Sequence, residues 1–334
     1  MIDFIQIRKP NHNGKVTPFF GHCKMLASYP NGGAKYELNG CGRIEIFWNP
    51  NSYLQISGSI MYFAQGHNFT YDHQVFIDAI NYIGRVLNVS LWDSVVVGFE
   101  YGVIMEVENA PKEYIQHHKP RVGEKLNATI REKDKGFLAR WADPFRDLKM
   151  YDASRNILNK QSKPKRRILE DAGWNPNSNW LKWEVHYLKP EALNCGKGVI
   201  LANLVDPDWE DVFKEDLYVQ YQRLIPMAEL AEPTKKKELS TSDILAMVLV
   251  EDSINGSRSV DEVKKMLYNR INLVSNGILS KTDKDSRKKQ IRGILKRMRL
   301  LKTSRWDLSQ QLADVLHGNT DNRNVNLISD DGDE

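Results

Sequence analysis

Leu54–Asn68 reads LQISGSIMYFAQGHN, and what surrounds it in the chain decides the fold. Leu54, Ile56 and Ile60 alternate with Gln55, Ser57 and Ser59, the pattern of a half-buried strand. Upstream, Ile2–Ile7 and Arg43–Trp48 are short β-prone runs, with turn clusters at Pro30–Gly33 and Asn49–Ser52. Downstream the period changes. Phe76, Ile80, Ile83 and Leu87 recur at helical spacing, which predicts a core-facing helix over Asp72–Val89. Alternation returns in Leu91–Val107. This succession predicts an α+β fold built on a sheet covered on one face.

The 334 residues can bury a sizeable core and suggest one large domain plus a smaller one. Hydrophobic residues at 41% and charged residues at 27% are ordinary for a soluble globular protein, which argues against a disordered or fibrous chain. The net charge of +4 is modest, so any nucleic-acid surface must come from local clustering. Cys23, Cys41 and Cys195 are widely spaced and form no CxxC or Cys/His zinc pattern, which points to a reduced, cytoplasmic setting. The start, MIDFIQIRKP, reads as a strand and not as a signal peptide, and no apolar run approaches membrane-spanning length.

Alternation then assigns chemistry. In Val95–Met105, Val95, Val97, Phe99, Tyr101 and Val103 fall on a core face, and Val96, Gly98, Glu100, Gly102 and Ile104 on the other. Glu100 is the only charge on its face, with a glycine two residues away on each side; glycine within a strand often marks close approach of a ligand or backbone. An acid on an ordinary solvent face is the competing reading. In Trp180–Lys189, Leu181, Trp183, Val185 and Tyr187 read as buried, while Lys182, Glu184, His186 and Leu188 share the other side, the one that could face DNA. Carboxylates on neighbouring strands can share a hard divalent cation such as Mg²⁺ or Mn²⁺; a Lys–Glu contact on a polar face is the plain alternative. Tyr151 points with Lys149, opposite Leu148 and Met150. A free tyrosine has a pKa of about 10 and needs a nearby cation to attack at neutral pH. Tyr151 has a candidate in Lys149, whereas Tyr187 shares a face with Trp183 and Val185.

These blocks resemble, across roughly Met1–Leu224, the phage and plasmid replication initiators typified by the filamentous-phage gene II protein. Leu54–Asn68 is similar to that family's strand ending in a QGHN-type turn, Glu100 takes the place of the acid in an Arg-Ile-Asp-like strand, Tyr151 that of the active-site tyrosine, and Glu184 that of the acid in an Arg-Phe-Glu-like strand. The chain departs from the pattern at Gly98 and Glu100, and Asp152-Ala153-Ser154 stands where a lysine usually follows the tyrosine; Arg155 or Lys149 would then supply that charge. The resemblance implies a largely antiparallel, Rep/relaxase-like nickase domain in a bacterial host's cytoplasm. It implies a metal-assisted nick at an origin, a 5′-phosphotyrosine intermediate, later religation, and a free 3′-OH for host polymerase, with a host helicase as a further partner. His67 is a further candidate metal ligand, against a turn histidine bonded to backbone.

The remaining stretches concern grip on DNA. Lys160–Arg167 contains five cations, Lys163, Lys165, Arg166 and Arg167 among them, and with Pro164 reads as a basic loop. Lys182 and His186 would add contacts beside Glu184. The expected organisation is a nicking domain over 1–231, a linker over 232–239, a small, basic, all-helical and helix-turn-helix-like domain over 240–316, and a disordered acidic tail over 317–334. Ile244–Val250, a Ser259/Glu262 capping box and the stripe Ile291, Leu295, Met298 and Leu301 mark its helices. Lys281–Arg305 holds eleven Lys/Arg against two acids, with Arg287, Lys288, Lys289, Arg292, Lys296, Arg297 and Arg299 as the DNA-contacting candidates. A non-catalytic DNA-binding regulator and a hydrolytic metal-dependent nuclease are the alternative functions.

Overall fold

The computed structural model describes residues 1–11, 14–121, 123–133, 136–160, 163–194, 198–227, 249–250, 260–275, 277–297 and 305–318. Its strands are β1 (Ile2–Pro10), β2 (Lys24–Ser28), β3 (Ala34–Asn39), β4 (Arg43–Asn49), β5 (Tyr53–Ser59), β6 (Val95–Val107), β7 (His118–Pro120), β8 (Asn127–Lys133), β9 (Gly136–Ala142), β10 (Arg146–Asp152), β11 (Asn179–Tyr187) and β12 (Leu224–Pro226). Ten of them form an antiparallel sheet in the order β2-β3-β4-β5-β1-β6-β11-β10-β9-β8. The fold is α+β, with β5, β1, β6 and β11 at the centre of the sheet.

Local rules explain the elements that flank this centre. Helix α1 (Ile60–Gln65) follows β5 directly: the Ser59 hydroxyl accepts from the Tyr62 N–H, and Gly66 ends the helix in a left-handed conformation. Ile60, expected as the last residue of a strand, is therefore the first of a helix, because the cap satisfies a backbone donor that a further strand residue would not. Helix α2 (His73–Leu87) is capped by Asp72, buries Phe76, Ile80, Ile83 and Leu87 as their spacing predicts, and stops at Asn88 with φ of 54°. Helix α6 (Pro207–Gln222) covers the apolar side of the central strands. The Trp183 indole donates to the Leu217 carbonyl, and the Tyr187 hydroxyl donates to Asp216. Helices α3 (Pro111–Gln116), α4 (Ala153–Lys160) and α5 (Lys163–Asp171) complete the connections. The basic stretch read as a loop is thus helical from Lys163, with Pro164 in the first turn, where its missing N–H leaves no helical bond unmade.

Two register shifts in the β1–β6 ladder revise the face assignments. Ile7 pairs with Val96 while Gln6 pairs with Gly98, so Val97 is an extra residue in β6. Val96 is accordingly buried at 2% exposure and Val95 lies at the surface at 37%, the reverse of strict alternation. The second shift lies between Ile2 and Ile5, which face Tyr101 and Phe99 respectively, and inserts an extra residue at Asp3–Phe4.

The chain divides into two compact units. The first comprises Met1–Gln116, Glu124–Leu224 and Leu308 onward; the second comprises His117–Gly123 and Ile225–Asp307. Helix α7 (Val260–Leu273) and helix α8 (Lys281–Arg297) belong to the second, where Val250 and Val263 form a small core with Leu267 and Leu295. Helix α9 (Ser309–His317) belongs to the first: the Leu308 N–H donates to the Tyr221 hydroxyl, the Gln311 amide to the Glu106 carbonyl, and Leu312 and Leu316 are buried. The region 240–316 is therefore divided between the units. Residues 232–239, Ile244, Ser259, Met298, Arg299, Leu301 and all but the first two residues of the acidic tail lie outside the described residues. Among the described residues, no helix is long and apolar enough to cross a membrane.

Candidate active site

Strand register brings four of the expected residues together. His186 pairs with Glu100 and Glu184 with Gly102 across β11–β6, while Lys149 pairs with Glu184 and Tyr151 with Lys182 across β10–β11. Paired residues of an antiparallel ladder point to one side, so Glu100, Glu184, Lys149 and Tyr151 share a face. Gly102 makes the closest of these approaches feasible. A Cβ there would lie 2.5 Å from both the Glu184 Cβ and the Trp183 carbonyl oxygen, so the glycine marks close backbone packing.

The cluster is an alternating network of charges. Lys149 Nζ lies 2.5 Å from Glu100 Oε1 and 3.3 Å from Glu184 Oε1. Lys182 Nζ lies 2.8 Å from Glu184 Oε2 and bonds Asp3 as well. The Tyr151 hydroxyl donates to Glu184 Oε2 at 3.2 Å, and the Lys182 ammonium is 5.7 Å from the centre of the Tyr151 ring. Asp3 also accepts from the Ser59 hydroxyl at 3.0 Å and the Asn68 amide at 2.6 Å, which ties the cluster to the start of α1 and to the QGHN turn. Asp3, Glu100 and Glu184 each offer an oxygen, all within 4.8 Å of one another.

Burial sets the protonation states. Glu184 and Lys182 are only 3% and 2% exposed, so the face that alternation marked as polar and outward is enclosed at this point. Burial, and then the neighbouring Glu184, push the Glu100 carboxyl up to about 7. Burial alone would lower the Lys182 and Lys149 ammonium groups, but the adjacent carboxylates override it and hold both above their ordinary values. Tyr151 is partly exposed as a residue, yet its hydroxyl is deep; burial and then Glu184 hold it well above 10, opposed by Lys182. The cation that acts on the phenol is therefore Lys182, whereas Lys149 serves the two glutamates. Lys182 is correspondingly removed from the expected DNA contacts, because its charge is already shared between Asp3 and Glu184.

The other expected residues are distributed. His186 sits 3.5 Å from Glu100 and packs edge-on to Phe4; burial lowers its pKa. His67 is buried beside Gln65 and is not one of the clustered ligands; its neighbour Asn68 reaches the site instead. Arg155 is exposed on α4, with its backbone N–H bonded to Asp152, and does not reach Tyr151 through any described contact. Lys163, Lys165, Arg166 and Arg167 lie on α5, where Arg166 donates to the Leu158 carbonyl and Arg167 is exposed. Arg287, Lys289 and Arg292 are exposed on α8, Lys288 is partly so, and Lys296 and Arg297 complete the helix.

Sequence reading missed Asp3. Strict alternation places Asp3 and Phe4 on opposite faces, but the extra residue in β1 allows Asp3 to reach Lys182 and Phe4 to reach His186. Its only signal was an acid inside a β-run that is otherwise uncharged from Ile2 to Ile7. Three hard oxygen ligands from β1, β6 and β11 suit a small divalent cation by donor chemistry. No protein-family model matches this chain, and no curated protein matches it significantly. The likeness to gene II-type initiators therefore rests on the four motifs and their order.

Proposed function

We propose that this chain is a rolling-circle replication initiator that nicks one DNA strand through Tyr151, in a Rep/relaxase-like domain with a helical, basic C-terminal DNA grip. The observation that carries the reading is the Tyr151 hydroxyl donating to Glu184 within a cluster of three carboxylates and two lysines. Glu184 is placed to take the phenol proton. Lys182 then faces the phenolate and offsets its charge as the oxygen attacks phosphorus. The O–P bond to tyrosine forms, the bond from phosphorus to O3′ breaks, and the released oxygen takes a proton from water, to which Glu184 gives up the one it took from the phenol. One phosphodiester replaces another, so the reverse attack by a 3′-OH religates the strand. Asp3, Glu100 and Glu184 would hold Mg²⁺ or Mn²⁺, which when bound would neutralise charge on the non-bridging phosphate oxygens.

The test is a nicking assay on supercoiled origin DNA with Mg²⁺, resolved on a denaturing gel. A covalent protein–DNA adduct that disappears in Tyr151→Phe supports the initiator. Cleavage leaving a free 5′-phosphate would mean that water, not tyrosine, is the nucleophile. The ion pairing of all three carboxylates also suits a binder that has lost the chemistry. That second reading expects origin binding with the plasmid left intact.

A further inference from the structure

The face that carries Glu100 continues across β1 into a cleft of about 310 Å³, lined by Gln6, Arg8, Lys35, Phe47, Tyr53 and Gln55 among others. Register places these residues side by side: Arg8 opposite Gln55 and Gln55 opposite Phe47, with Phe47 opposite Lys35. The same ladder sets Gln6 against Gly98, two residues from Glu100, so the cleft and the cluster share one sheet face.

The side chains here are unusual for a solvated sheet. Tyr29, Phe47 and Tyr53 form a row, with ring centres 5.9 and 5.8 Å apart, and the Arg8 guanidinium lies 4.7 Å over the Tyr53 ring. Phe4 continues the aromatic character toward the site through its contact with His186. Gln6, Gln55 and Ser57 add hydrogen-bonding groups to the lining, and Gln55 accepts from the Arg8 guanidinium at 2.7 Å. The acid among the lining residues, Glu45, is neutralised by Lys35 at 3.0 Å. Rings in a row on an open sheet, with arginine stacked at one end, suit flat bases presented one after another and a backbone that carries negative charge. A duplex keeps its bases stacked on each other and does not offer them to such a row.

We propose that the Tyr29–Phe47–Tyr53–Arg8 row is a stacking platform for the unpaired bases of a single DNA strand beside the nicking site. The polymer's identity rests on the nicking reading above; the stacking geometry does not. Cleft and cluster lie three strands apart, from β5 to β11, or roughly 14 Å at the usual strand spacing. One strand can therefore span both.

The experiment is fluorescence anisotropy of the full chain with labelled dT20, at one fixed salt concentration. An abasic chain of the same length measures backbone attraction alone. The wild type should bind dT20 more tightly than the abasic chain. Tyr53→Ala should lose about tenfold for dT20, the size of one lost base–ring contact, and change little for the abasic chain. Phe47→Leu keeps the hydrophobic volume and should lose affinity in the same sense, which guards against misfolding of the alanine variant. Tyr53→Phe should bind as wild type, as should Tyr82→Ala, exposed on α2. Equal binding of dT20 and the abasic chain, or no loss in both Tyr53→Ala and Phe47→Leu, would overturn the platform. Base-dependent dT20 binding with no adduct on origin DNA sinks the nicking reading and leaves the platform standing. An adduct whose yield ignores both variants does the reverse.

Discussion

Tyr151 and Tyr187 lie on opposite faces of one pair of strands, and each donates its hydroxyl to a carboxylate. Burial is the leading cause that keeps both phenols protonated. Their surroundings separate them. Tyr187 stacks on Phe99 at 4.6 Å, and its acceptor, Asp216, has Gln220 and Arg146 as further partners under α6. Tyr151 stands between a glutamate and a buried ammonium, on the face that carries Asp3, Glu100 and Glu184. A carboxylate that accepts from a phenol is thus common to packing and to chemistry. A cation does not separate them either, since the Arg146 guanidinium lies 5.9 Å from the centre of the Tyr187 ring; what distinguishes Tyr151 is a cluster of three carboxylates and two lysines, against one carboxylate and one arginine beside Tyr187.

The sharpest way to break this contrast is Tyr151→Phe, which should abolish the covalent DNA adduct while leaving the fold intact, as it removes one oxygen and almost no volume. Tyr187→Phe should keep the adduct and cost on the order of 1 kcal/mol in a denaturant titration, since Asp216 retains other partners. An adduct lost only in the second variant would reverse the assignment.

Next in size is the buried cation. Lys182→Met leaves Asp3 and Glu184 short of their shared charge and should cost about 3–5 kcal/mol by chemical unfolding. Lys149→Met should cost less, because that side chain is more exposed, at 19% against 2%. Equal losses would mean that the two lysines are equivalent supports.

The pH response follows from Glu100. Its folded value of about 7 lies above its ordinary 4.5, so between those values the folded chain holds a proton that the unfolded chain has released. This group's contribution therefore makes stability fall as pH rises from about 4.5 to 7. Thermal melts across that window should show a slope in the wild type that Glu100→Gln flattens; parallel curves would place Glu100 in an ordinary solvated setting. The smallest expected effect concerns α8. Arg292→Ala should weaken origin binding uniformly across sequences and reduce its salt dependence by about one ion, measured by anisotropy at several salt concentrations.

Much of this arrangement was legible in the chain. Glu100, Glu184, Lys149 and Tyr151 share a face because alternation holds through β10, β11 and the middle of β6. The helical period of Phe76, Ile80, Ile83 and Leu87 marked α2 for the same reason. Reading failed where one residue breaks a period. The extra residues at Asp3–Phe4 and Val97 move side chains across the sheet without any change in composition. Ser59 caps a helix and Lys163 begins one where short-range rules suggested a strand and a loop. The burial of Lys182 was also hidden, since alternation tells which way a side chain points but not what covers it.

The extra residue in β1 makes the third carboxylate depend on the count of residues as well as on their kind. Deleting one residue between Ile2 and Ile5 would restore a regular ladder, in which Asp3 and Phe4 could no longer serve the same face. Such a deletion would withdraw either the partner of Lys182 or the ring against His186, though every side chain around them stayed as it was. Within this sheet, a length change of a single position acts as an on–off control over a charged centre.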